Sequence, residues 1–248
     1  MALFMILSVA ARNALADPVQ TDPDKDPQIT KLMQEANQMT AATNLTGGVE
    51  KCDEVIAAFK ERYGDGKIQV HCARTGAECL SYLMEAASKG GSTNIELSAD
   101  ARTGRISGKA IVLSPTWAEA YFTKGYALQD LGRIPEATAS IDAALALSPL
   151  NAHYLHERGN LYEGEKNWPK AQEVFKLAAD NAAFSPDSTR AAELGQARRG
   201  TAYVLVELGK LDEAEKIYEQ CLAADPNDAR ARRELKYVRQ LQAKAKPQ

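Results

Sequence analysis

Three histidines and four cysteines carry the strongest intrinsic chemistry in this chain. His153 and His156 stand three apart, with Glu157 beside them. On a helix, that spacing puts two imidazoles and a carboxylate on one turn, where they can hold a divalent metal weakly. Such a set does not complete a tight site, so polar surface is the stronger reading. His71 is followed by Cys72 and Arg74. A Cys72–His71 nucleophile pair requires a third, orienting group, and the neighbouring sequence offers none. The chain contains no glycine-rich phosphate loop, no GxSxG elbow and no CxxC pairing. It therefore reads as non-enzymatic, with no cofactor and no metal. The alternative is an enzyme or metal-dependent protein built on His71, His153 and His156.

Whatever positions these residues must come from 248 residues, 45% apolar and 25% charged, enough for one or two globular domains. The formal net charge of −3 gives no dominant phosphate-facing field, which disfavours nucleic acid as a partner. The sequence contains 42 alanines and only 6% aromatic residues. Small residues at that density let helices approach closely, so the expected class is all-α. No apolar run reaches the roughly 20 residues of a membrane-spanning helix.

A period of 34 organises the second half. Counting 118–151 from one, Tyr121 falls at four, Gly125 at eight, Leu128 at eleven and Gly132 at fifteen. Ala137 falls at twenty, Ile141 at twenty-four, Ala144 at twenty-seven and Pro149 at thirty-two. Restarting at Ala152 gives Leu155, Gly159, Tyr162, Ala171, Phe175 and Ala178 at matching offsets; restarting at Gly195 gives Ala202, Leu205, Gly209, Ala214, Tyr218, Cys221 and Pro226. Small residues at eight, twenty and twenty-seven allow two helices to pack closely, and large ones at four, eleven and twenty-four fill the space between them. This pattern resembles the tetratricopeptide repeat. The resemblance implies a superhelix of helical hairpins over 118–151, 152–185 and 195–228, with 186–194 an insertion that lengthens the first helix of the third repeat. Residues 229–245 form the closing helix, with Ala231, Leu235 and Val238 on its inner face.

Upstream, 28–44 reads as one helix and 49–89 as a degenerate hairpin: Val49–Tyr63, a Gly64-Asp65-Gly66 turn, and Ile68–Ser88. In that hairpin Cys52 lies opposite Cys79, and Cys72 opposite Phe59. In an oxidising compartment the first pair is expected to form a disulfide worth about 3–4 kcal/mol; otherwise both are reduced core cysteines. Between 90 and 114, Ile95 and Leu97 alternate with polar residues among frequent Gly and Ser, so a short β-hairpin or loop insertion is expected.

The apolar run Met1–Ala11 and the Ala14-Leu15-Ala16 pattern read as a signal peptide, 1–16, cleaved after Ala16. Residues 17–27, rich in Pro and Asp, are expected to be a disordered spacer. The expected location is the periplasm or outside the cell, and the chain is similar to exported tetratricopeptide proteins of Gram-negative bacteria.

The resemblance also implies a concave groove lined by first-helix positions two, five, nine and twelve. Those are Glu119, Phe122, Tyr126 and Gln129 in the first repeat, His153, His156, Asn160 and Glu163 in the second, and Gln196, Arg199, Tyr203 and Val206 in the third. Such a surface suits a peptide segment or partner helix, with Phe122, Tyr126 and Tyr203 as anchors. The family's clamp for chaperone C-termini places Lys at five and Asn at nine of its first repeat. Phe122 and Tyr126 stand there, which argues against that role. A second binding reading places anionic envelope components on Arg230, Arg232, Arg233, Lys236 and Arg239 of the closing helix.

Overall fold

The computed structural model describes residues 22–90 and 95–245. The signal-peptide reading of 1–16 lies outside the described residues. Ten α-helices and one four-stranded sheet make up the described chain. α1 (Pro27–Ala41) and α2 (Leu45–Tyr63) form a hairpin that packs on α4 (Thr116–Asp130). α4 pairs with α5 (Ile134–Leu147), α6 (Ala152–Gly164) with α7 (Trp168–Asn181), and α8 (Asp187–Glu207) with α9 (Leu211–Ala224). α10 (Ala229–Ala245) closes the stack on α9. The result is the all-α superhelix that the repeat register implies.

Local chemistry sets the boundaries. Pro27 starts α1, and Asp26 caps it by accepting from Gln28 N. Asn151 caps α6 from a fully buried position, accepting from His153 N and Tyr154 N. Position fifteen of each repeat turns the chain with positive φ: Gly132 at 74°, Lys166 at 56° and Gly209 at 72°. Residues 187–194 of the expected insertion are helical and extend α8 to 21 residues.

The packing positions act as their sizes require. A Cβ on Gly159 would come within 2.4 Å of the Phe175 ring, and one on Gly200 within 2.7 Å. Phe175, fully buried, is therefore held between α6 and α8 by two glycines.

The N-terminal half departs from expectation in three ways. First, residues 68–88 are not one helix. Gln69–Cys72 form strand β1, and the helix that follows, α3, runs from Gly76 to Gly90. Second, 95–113 is more than a hairpin. β2 (Ile95–Leu97), β3 (Gly104–Ile106) and β4 (Ala110–Leu113) form an antiparallel meander, and β1 joins its end parallel to β4, in the order β1-β4-β3-β2. The hairpin partner of α2 is thus α1, and β1 to β4 with α3 form an inserted α/β module between α2 and α4. Third, residues 22–26 of the expected spacer are structured. Pro23–Lys25 is a 3-10 turn, Tyr63 Oη donates to Asp22 at 2.8 Å, and Asp24 accepts from Ser114 N at 3.0 Å.

The sheet explains why the expected disulfide is absent. Its alternating side chains face two different cores. Val70, Cys72, Ile111 and Leu113 join α1, α2 and α4, whereas Ala110, Val112 and Ile106 join α3. Cys52 belongs to the first core and Cys79 to the second, so the sheet stands between them. All four cysteines are free and buried. Burial pushes the Cys52 thiol up to about 12 and the Cys79 thiol up to about 11.

Candidate functional site

The first helix of each hairpin (α4, α6, α8) carries the expected groove residues, and the structure brings half of them together. His156, Asn160 and Glu163 of α6 share a cleft of about 450 Å³ with Gln196, Arg199 and Tyr203 of α8. Arg230 and Arg233 of α10 form the third wall. These arginines hold register positions that sequence reasoning passed over. Thirty-four residues after Gly195 the pattern restarts at Ala229, so α10 is itself a first helix, with Arg230 at two, Arg233 at five and Tyr237 at nine. Extending the period by one more copy would have found them.

The other six residues lie elsewhere. Phe122 is not a free anchor: its ring stacks on Tyr154 at 4.5 Å and meets His153 at 4.8 Å, packed against the first core. Val206 packs against the core of Ala202, Leu205 and Tyr218. Glu119 lines a separate cavity of about 710 Å³ with Arg74, Ser114 and Pro186, where burial raises its carboxyl group and Arg74 opposes the rise. Tyr126 is 46% exposed, and Gln129 is half-buried near the end of the same helix.

Electrostatics divide the cleft. Burial holds His156 down at about 4, helped by His153, Arg199 and Arg230, so it is neutral at physiological pH. Its Nδ1 is buried without a hydrogen-bond partner among the described residues. Arg199 is tied to Asp228 at 2.5 Å, and Arg233 to Glu234 at 2.9 Å. Burial and then Glu207 push Glu163 up to about 7. Tyr203 is 40% exposed, with its ring edge-on to Trp168 at 6.4 Å.

The three histidines make ring contacts with aromatic neighbours. Among the described residues no group of three or more His, Cys, Asp or Glu could hold a metal ion. His153 faces Phe122, and His156 faces Phe175 at 5.4 Å. His71 and Cys72 are adjacent on β1 and so point to opposite faces. His71 Nδ1 donates to Leu147 O at 3.2 Å and its ring stacks on Tyr82, while burial pushes the Cys72 thiol well up.

Residues 122–186 match one tetratricopeptide-repeat family model, and residues 195–238 match another. The matched hairpins resemble tetratricopeptide repeats, over 109 of the 248 residues. Among solved structures, PilF of Pseudomonas aeruginosa is similar over 87% of this chain and 69% of its own, with 12% identity and a TM-score of 0.56, a likeness of fold. The first tetratricopeptide domain of Spaghetti (RPAP3) bound to an HSP90 peptide matches 51% of this chain and 93% of its own, with 25% identity and a TM-score of 0.45. The second such domain of human RPAP3, in complex with an HSP70 peptide, matches 49% and 94%, with 20% identity and a TM-score of 0.42. No curated protein sequence matches the chain at a significant level. Tetratricopeptide domains mediate protein–protein interactions, and among the described residues no helix is long and apolar enough to cross a membrane.

Proposed function

We propose that this protein is a non-enzymatic scaffold that binds a protein segment along its concave groove, chiefly where α6, α8 and α10 meet. One observation carries the reading. Position nine places Tyr126, Tyr203 and Tyr237 on three of the four first helices, α4, α8 and α10, with Asn160 on α6 between them, and each tyrosine is at least 40% exposed. Large, rigid aromatics left bare in one row are the usual anchors of a protein interface. An envelope location rests on the Met1–Ala11 run and the Ala14-Leu15-Ala16 pattern alone.

The anionic-envelope reading gains less support. Arg239 is engaged by Glu215 and Glu219, and Arg233 by Glu234, so two of the five cations of this helix are already neutralised by their neighbours. The test is affinity capture from native extract with wild type and with Tyr203→Ala/Tyr237→Ala. Captured partner should fall at least tenfold, about 1.4 kcal/mol, with an unchanged melting temperature. Undiminished capture by the folded variant would refute the reading.

A further inference from the structure

The cleft is polarised across its width. Arg199 stands at position five, past the middle of the extended α8, and Arg230 and Arg233 stand at positions two and five, in the first turns of α10. Arg230 is exposed and has no ion partner among the described residues. Carboxylates are not absent from that side. Asp228 pairs with Arg199 and Glu234 with Arg233, and Glu157 accepts from Asn160 at 3.0 Å. Toward the other side Glu163 of α6 faces Glu207 of α8, and neither is paired with a cation among the described residues. Between the two sides stands Tyr203, and Tyr237, 50% exposed, holds the same register position on α10.

The dimensions decide what can touch both sides. Arg199 and Glu207 are eight residues apart on α8, about 12 Å at 1.5 Å per residue. An α-helix with its side chains is about 10–12 Å across. An extended strand, with about 4.8 Å between neighbours, reaches one side or the other. First helices of neighbouring hairpins lie about 8–10 Å apart, close to the rise of two helical turns, so apolar residues seven apart would meet Tyr203 and Tyr237 in turn.

Resting on the groove reading above, we propose that this end of the groove takes an amphipathic helix with oppositely charged flanks. Its apolar stripe lies on Tyr203 and Tyr237, its acidic flank faces Arg230, the cation left unpaired on that side, and its basic flank faces Glu163 and Glu207. The charge pattern then fixes the direction in which the helix lies.

The probes are four labelled peptides of equal length, titrated into the full chain. Three are helix-stabilised with a Leu stripe and carry Glu on one flank and Lys on the other, Glu on both, or Lys on both. The fourth has the mixed charges but Pro at every third position, so that it stays extended. The mixed helix should bind at least tenfold tighter than the other three. Arg230→Glu should erase that margin and make the all-Lys helix the preferred ligand. Equal binding of the uniform helices, equal binding of the extended peptide, an unchanged order with Arg230→Glu, or no binding at all would each overturn the proposal. If any of these occurs while native capture still depends on Tyr203 and Tyr237, the groove reading stands and the helix does not.

Discussion

Arg74, in the turn after β1, donates to Glu193 of α8 at 2.8 Å across 119 residues of sequence. The same guanidinium reaches Glu78 of α3 at 3.3 Å, and Arg74 N donates to Glu78 at 2.6 Å. Ser185 Oγ donates to Glu193 at 2.6 Å, and Thr75 Oγ1 to Phe184 O at 2.9 Å. The inserted module is thus fastened to the start of the third repeat, and both glutamates are nearly or wholly buried. Burial raises Glu78, whereas hydrogen bonds from Arg74 and Ser185 hold Glu193 down despite its burial.

Removing the cation should therefore be costly. Arg74→Ala leaves two carboxylates buried without compensation and is expected to lose about 3–5 kcal/mol in denaturant unfolding. Adding Glu78→Gln and Glu193→Gln to that variant should recover part of the loss. A loss below about 1 kcal/mol would show that the network is not stabilising.

Phe175 sets the second expectation. Gly159→Ala improves helix propensity by about 1 kcal/mol, yet its Cβ would enter the ring of a fully buried Phe175. Overpacking of this kind costs about 1–3 kcal/mol, so net destabilisation is expected. Gly164→Ala meets nothing within 4 Å and should be neutral or stabilising. Equal effects of the two in thermal melts would remove the steric account.

Lys166 occupies the left-handed turn that Gly132 and Gly209 hold in the other two repeats. A side chain there costs about 1–2 kcal/mol, partly offset by the lower chain entropy of a non-glycine residue. Lys166→Gly should stabilise the protein by about 0.5–1 kcal/mol, read from the denaturant midpoint. A destabilised variant would mean that the Lys166 side chain makes a contact worth more than the strain.

Glu163 makes the stability depend on pH. Its folded value, about 7, lies above the ordinary 4.5, so the native state holds a proton that the unfolded chain has released. Its contribution is most favourable below pH 4.5 and is lost as pH rises through 7. Glu163→Gln should therefore stabilise increasingly from pH 4.5 to 7, level off above that, and change little at pH 4. A pH-independent difference would contradict the burial and the Glu207 repulsion assigned here.

The repeats were legible because size alternation at fixed offsets is a local signal. Gly125 and Gly159 opposite Ile141 and Phe175 can be read without any coordinates. The inserted module was not legible. β1 is four residues long, and its partner β4 begins 41 residues later, a pairing that no local periodicity reveals. Once β1 was read as the start of a helix, Cys52 and Cys79 followed onto facing helices, although a sheet separates them. Arg74 was noticed only as a neighbour of His71 and Cys72, because its acceptors come from α3 and α8. In the groove, Tyr203 is exposed and Phe122 is covered by Tyr154, because the register tells which helix face a residue occupies and not what already packs on it.

The central claim is that partners bind on the concave side, and site-specific photo-crosslinking tests it most directly. A photoreactive residue replaces Tyr203 in the groove or the exposed Lys176 on α7, a second helix of its hairpin, and crosslinks are formed in native extract. Groove binding predicts a discrete partner adduct from position 203 and none from position 176. Adducts from 176 with none from 203 would contradict it.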